Sequence, residues 1–149
     1  MALKTFGVLQ QLYVYIERSP LRHRRYMEHV KAGTAVSDSG PRLLQSLCET
    51  RWSARFTNLR IVDRRLGDII STLSELLHDD VDASLLLKSL MQFDIIFGIK
   101  LLRLVFGYAD TVSQYLQRSD ADLLNAFERV AGLKATLQEC RTDEKFEVL

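Results

Sequence analysis

The segment at residues 46–56, SLCETRWSARF, places an aromatic ring between positive charges. Trp52 is the only tryptophan of the chain, and Arg51 and Arg55 lie on either side of it. Guanidinium groups bind phosphates, and an indole ring stacks on an unpaired base. The segment therefore has two interpretations, in which Trp52 either anchors the protein core or contacts a nucleic acid.

A second group of positive charges precedes this segment, in SPLRHRRYMEHVK at residues 19–31. Arg22 and Arg25 lie one helical turn apart in it, in a row of the kind that binds phosphates. The chain has a net charge of +1, yet residues 18–65 hold eleven of its 20 lysines and arginines and four of its 19 acids. This imbalance indicates either an anionic partner for the basic segment or internal pairing with the acidic remainder of the chain.

Other residues that could do chemistry form no catalytic or metal-binding pattern. The histidines and cysteines are few and separated: His23, His29, His78, Cys48 and Cys140. They lack the spacings of zinc ligands, and the acidic turn at 78–82 lacks the glycine and the final glutamate of a calcium loop. The sequence also contains no phosphate-binding glycine loop and no nucleophile motif. We therefore expect no enzymatic activity, no metal and no cofactor.

Three features of the sequence bear on where the protein works. The two cysteines have no paired spacing, which fits a reducing compartment. The N-terminal sequence, MALKTFGVLQQLYVYIERS, lacks the parts of a signal peptide. No run of about 18 uncharged apolar residues occurs, so no membrane span is predicted. We expect a soluble, intracellular protein.

Helices must position these residues, because apolar residues recur at intervals of three and four almost throughout and prolines are scarce. The pattern predicts one all-α domain over residues 1–149, an irregular bundle of about five to six helices. Ser19 and Pro20 supply a helix start, residues 119–122 resemble a capping box, and Gly98 and Gly107 mark a break or a close helix contact. The predicted elements are helices over about 3–18 and 20–32, a flexible loop at about 33–46, a long central helix over about 49–77, one or two helices over 83–117, and a last helix after 119–122.

The segment SLCETRWSARF resembles the C/S-x-TRW-x-x-R segment of hAT-superfamily DNA transposases and of the zinc-finger proteins derived from them. The flanking sequences resemble the same family, and together they cover nearly the whole chain. FGVLQQLYVYIERSPLRH is similar to the helix pair before TRW, and LLKSLMQFDIIFGIKLLRLVFGYADTVSQYLQRSDADL is similar to the helices after it, including LQ-x-x-D-x-D-L.

The resemblance implies the all-α insertion domain of such a transposase and a nuclear location. In that family the tryptophan stacks on a flipped base near the cut, a role that would fall to Trp52, with Arg51 beside a phosphate. The family's catalytic carboxylates and its zinc finger belong to segments outside the matched region. The resemblance therefore implies a catalytically inactive, transposase-derived helical fragment that contacts hairpin or single-stranded DNA ends through Arg51 and Trp52. The rows of basic residues add Arg55, Arg22 and Arg25 to the predicted DNA-binding residues.

The alternative function is a helical protein-interaction or oligomerisation module with no nucleic-acid role. The row of apolar residues from Trp52 to Leu76 is spaced nearly as heptads, and the region 83–117 is strongly apolar. If these helix faces lack partners within the chain, they would be exposed and would support self-association.

Overall fold

The computed structural model describes residues 1–33, 43–46, 52–78 and 80–142. Within these residues the chain forms seven α-helices and no strand, which confirms the predicted all-α class. The helices are α1 (Ala2–Glu17), α2 (Pro20–Ala32), α3 (Trp52–Arg64), α4 (Leu66–Leu76), α5 (Val81–Leu90), α6 (Phe93–Leu116) and α7 (Leu123–Glu139). Helix α6 is the longest of them, and it packs against α1, α3, α5 and α7. Most of the predicted loop at 33–46 lies outside the described residues.

Side chains start three of these helices. The Ser19 hydroxyl accepts a hydrogen bond from the backbone N–H of Arg22, and Pro20 follows it as the first helical residue, as predicted. Asp80 caps α5 in the same way. The predicted capping box begins three residues too early, because the side chain of Asp122, and not that of Ser119, caps α7.

The predicted long helix over 49–77 is wrong, because the chain bends at Arg65. Arg65 has φ −104° and ψ 16°, outside the helical region. Its side chain is buried, and its Nη1 lies 3.6 Å from Oδ2 of Asp68. Helix α3, before the bend, packs against α6, whereas α4, after it, packs against α2 and α5. The bend therefore lets two halves of one apolar row reach different neighbours.

The region over 83–117 forms two helices, and the break falls at Met91 and Gln92, not at a glycine. One of the two glycines, Gly98, marks a close helix contact inside α6. A Cβ atom on Gly98 would overlap the hydroxyl of Thr5 in α1. A Cβ atom on Gly107 would lie 3.4 Å from the ring of Phe56 in α3. Gly98 therefore allows α1 to approach α6 closely, whereas a side chain at Gly107 would make an ordinary contact with α3.

The hydrophobic core lies between α1 and the other helices of the bundle. Its largest fully buried side chains are Tyr26, Leu9, Leu12, Ile16, Leu59, Ile61, Ile69, Leu73, Leu90, Ile95, Ile99 and Val62. Leu44, from the described end of the predicted loop, is also buried. The core accordingly includes most of the apolar row that continues through α3 and α4.

An acidic side chain joins α3 to α6. The carboxylate of Asp63 is nearly buried, and it lies 2.6 Å from Nζ of Lys100 and 3.0 Å from Nε of Arg103. These two cations interrupt the apolar sequence of α6, so the ion pairs explain their presence there. Among the described residues, no helix combines the length and the apolar character that crossing a membrane requires.

Candidate functional site

The structure describes three of the five predicted nucleic-acid residues in full. Arg51 lies outside the described residues. Trp52 is the first residue of α3 and is described by its backbone, while its side chain lies outside the description. Both interpretations of Trp52 therefore stay predictions.

Arg22 is held by residues of two other segments. Its Nη2 donates to Oδ2 of Asp80 at 2.6 Å, and its Nη1 donates to the backbone carbonyl of Tyr15 at 3.2 Å. The guanidinium carbon also lies 4.0 Å from the centroid of the Tyr15 ring, a cation–π distance. The Tyr15 hydroxyl donates to the same Asp80 oxygen at 2.9 Å, so α1, α2 and the start of α5 meet in one cluster.

The cluster changes the proton affinity of two of its members. Partial burial raises the pKa of Asp80, but hydrogen bonds from Tyr15, from the backbone N–H of Asp82 and from Arg22 outweigh it. The pKa of Asp80 consequently lies below its usual value. Burial and the hydrogen bond to Asp80 raise the pKa of Tyr15 to about 12, so Tyr15 stays protonated at neutral pH.

Arg25 is also paired with an acid of the chain. Its Nη1 lies 2.9 Å from Oε1 of Glu75 in α4, and Nε2 of His29 lies 2.9 Å from the other oxygen of the same carboxylate. Arg22 and Arg25 therefore pair with acids outside the basic segment. For these two residues the structure shows the internal pairing that the charge imbalance left open.

Arg55 of α3 and Arg22 of α2 contact rings at different ends of α1. The guanidinium carbon of Arg55 is 5.2 Å from the centroid of the Phe6 ring, whereas Arg22 lies over Tyr15. Phe6 and Tyr15 are nine residues apart in one helix, which corresponds to about 13 Å. The three described arginines therefore do not form one compact patch. In the described part of the chain, no group of three or more His, Cys, Asp or Glu side chains could hold a metal ion.

An exposed apolar surface of the described chain lies on α6 and α7. Helix α7 packs against α6, yet none of its residues is buried. Leu123 is 73% exposed, Phe127 67% and Val130 46%, and they follow one another at intervals of four and three residues. Such an exposed apolar stripe is typical of a helix that packs against a partner.

The neighbouring face of α6 has a matching stripe. A groove of about 400 Å³ runs between the two helices. Its apolar lining from α6 consists of Phe106 and of four residues spaced at four, three and four positions, which are Val105, Ala109, Val112 and Leu116. Val130 lines the groove from α7, and Leu123 and Phe127 continue its stripe along the same helix outside the groove lining. These residues, together with those of α6, are called the α6–α7 groove below. Two antiparallel helices with stripes of this spacing have the form of half a four-helix bundle.

The sequence analysis named two apolar regions that could lack partners, and the α6 side of this groove lies in one of them, the region over 83–117. The row from Trp52 to Leu76 was a candidate for an unpartnered face, and its described members lie in or against the core. The register of Leu123, Phe127 and Val130 predicts an amphipathic α7 equally well. Periodicity shows that a helix has an apolar face, and tertiary structure decides whether that face is covered.

Comparison of the chain with protein-family models, with curated proteins and with solved structures finds no match.

Proposed function

We propose that this protein is a helical self-association module, in which two copies join through their α6–α7 grooves. The observation that carries the proposal is the apolar stripe of α7, a helix of 17 residues that buries none of them. Two such helix pairs, placed face to face, complete a four-helix bundle and cover both stripes. The proposal requires no catalytic group, metal or cofactor.

The expected affinity follows from the exposed side chains. A fully buried Leu, Phe or Val contributes about 1.5–3 kcal/mol, and a two-fold dimer counts each residue twice. With about 60% of Leu123, Phe127 and Val130 exposed on average, the gross gain is about 5–11 kcal/mol. Because association costs about 4–15 kcal/mol, the residues of α6 must add to this gain. We therefore expect a weak, reversible dimer.

Sedimentation equilibrium at about 1–200 μM chain tests the proposal. The parent protein should change from monomer to dimer over this range. Phe127→Asp should raise the dissociation constant by about 100-fold or more. It removes a ring that the dimer would bury, and each copy places a negative charge in the interface. Circular dichroism should show unchanged helix content.

Phe93→Asp provides the matched control for this variant. Phe93 lies at the opposite end of α6 and is 79% exposed, so the same substitution there should leave the dissociation constant unchanged. A parent protein that stays monomeric throughout the range would refute the proposal. Equal weakening by Phe93→Asp and Phe127→Asp would show that the interface is not at the α6–α7 groove.

Descent from a hAT-type insertion domain is a second and separate proposal. It is supported by the TRW segment and its two flanking sequences. Residual DNA contact would then be carried by Arg51, Trp52 and Arg55, because Arg22 and Arg25 face acids of the chain. A nuclear location belongs to the same proposal.

A further inference from the structure

A cleft of about 400 Å³ lies between α1 and α5, and it shares no lining residue with the α6–α7 groove. Three apolar side chains form part of its lining, Val14 of α1 with Leu85 and Leu86 of α5. Leu85 is 59% exposed, so an apolar group in the cleft would remove its side chain from water. Clefts of this volume, with an apolar floor and a few polar groups, are typical small-molecule sites.

Two opposite charges line the same cleft without pairing. Arg18 follows the last residue of α1, Asp82 lies in the first turn of α5, and both are exposed. Within the part of the chain that the structure describes, neither side chain forms an ion pair or a hydrogen bond, with the other or with a third residue. The second cation of the cleft, Arg22, is already held by Asp80. One guanidinium and one carboxylate therefore remain available to a ligand.

Both of these charges lie near Tyr15, which also lines the cleft. Burial and the hydrogen bond to Asp80 are the main causes of the raised pKa of Tyr15, and the charge of Asp82 adds to them, which places Asp82 near the ring. Arg18 is three residues after Tyr15, so the two side chains lie on the same side of the chain. The two unpaired charges therefore flank one residue of the cleft.

Each charge also has an apolar neighbour in the cleft. Val14 is one helical turn before Arg18, and Leu85 and Leu86 are one turn after Asp82. A ligand that fills the cleft can thus contact a cation, an anion and an apolar floor at the same time. A ligand with a single charge would leave the opposite charge of the cleft unpaired.

We infer that this cleft binds a small zwitterion with an apolar side chain, which is the chemistry of an apolar amino acid or of an apolar dipeptide. The ligand's carboxylate accepts hydrogen bonds from the guanidinium of Arg18, which suits carboxylates in shape and charge. Its ammonium group donates to the carboxylate of Asp82, and its side chain covers Leu85. The inference does not depend on the proposed self-association.

Titration of isotope-labelled protein, followed by NMR chemical shifts of the backbone amides, tests the inference with leucine and leucyl-leucine as probes. At least one of them should shift the signals of the cleft residues with a dissociation constant of about 1 mM. The tighter of the two identifies the source of the ligand as a free amino acid or a dipeptide. N-acetylleucine lacks the ammonium group and leucinamide lacks the carboxylate, so each should bind about fivefold more weakly than leucine.

Two variants separate recognition of the ligand from a structural role. Arg18→Gln should weaken binding of leucine about fivefold and leave leucinamide unaffected, because leucinamide has no carboxylate to lose a partner. Asp82→Asn should likewise weaken leucine and leave N-acetylleucine unaffected. Arg24→Gln is the matched control, because Arg24 is exposed on α2 and does not line the cleft. It should leave every dissociation constant unchanged.

Two results would overturn the inference. The first is an absence of shifts in the cleft with leucine and with leucyl-leucine up to about 20 mM. The second is equal affinity for leucine, N-acetylleucine and leucinamide, which would show that Arg18 and Asp82 do not recognise the ligand's charges. Either result leaves the proposed self-association standing, because the cleft and the α6–α7 groove share no residue.

Discussion

The close contact between α1 and α6 can be tested by adding one methyl group at Gly98. A Cβ atom there would overlap Oγ1 of Thr5 and lie 3.4 Å from the Cβ of Thr5. Thr5 has little room to move, because it is fully buried and its hydroxyl donates to the carbonyl of Met1 at 3.3 Å. Gly98→Ala therefore probes the packing of the two helices directly.

Two opposing effects decide the sign of the change in stability. Alanine is favoured over glycine inside a helix by about 1 kcal/mol. Extra atoms in a packed core cost about 1–3 kcal/mol, and occasionally more. Because the overlapping atom belongs to a buried, β-branched side chain, the packing cost should exceed the helix gain. We expect Gly98→Ala to lower the free energy of unfolding by about 1–2 kcal/mol.

Urea unfolding followed by circular dichroism measures this change. Gly7→Ala in α1 is the control, because a Cβ there meets nothing within 4 Å and should raise the free energy of unfolding by up to about 1 kcal/mol. Thr5→Ala removes the overlapping oxygen, so combining it with Gly98→Ala should cost less than the sum of the single changes, by about 1 kcal/mol or more. If Gly98→Ala stabilises the protein as much as Gly7→Ala does, the close contact does not exist.

Two further predictions concern the basic segment. Asp80→Asn keeps the helix cap but removes the charge opposite Arg22, and it should lower the free energy of unfolding by about 1 kcal/mol at pH 7. Since the pKa of Asp80 in the folded protein lies below the unfolded value of about 3.9, this stabilisation is present above about pH 4 and is lost as the pH falls through the lowered pKa. Urea unfolding at pH 7 and pH 3 should show the deficit of the variant shrinking, and an equal deficit at both would contradict this. Trp52→Ala should lower affinity for hairpin or single-stranded DNA in fluorescence anisotropy and barely change duplex binding; equal losses together with a lower melting temperature would assign Trp52 to the core.

Local chemistry made much of the fold predictable from sequence. Apolar spacing fixes the helical class, and Ser19 followed by Pro20 marks a helix start without help from distant residues. The bend at Arg65 was not predicted, because the apolar row continues across it in register. It depends on where α6, α2 and α5 lie, which no local pattern encodes.

The same limit applies to the surfaces. The charge imbalance is visible in the sequence, but the pairing of Arg22 with Asp80 joins residues 58 positions apart. The apolar stripe of α7 is also visible, whereas its exposure depends on how the described helices pack against one another. The sequence therefore predicted which side chains can form ion pairs or apolar contacts, and the tertiary structure determines their partners.

The exposure of α7 has a consequence for the folding of the chain itself. Because α7 contributes no buried residue, its detachment from α6 costs little free energy, and it should open in local fluctuations that leave the rest of the bundle intact. A neighbour that binds the closed form would suppress this opening by mass action. The protein concentration would then determine the fraction of molecules in which α7 is folded.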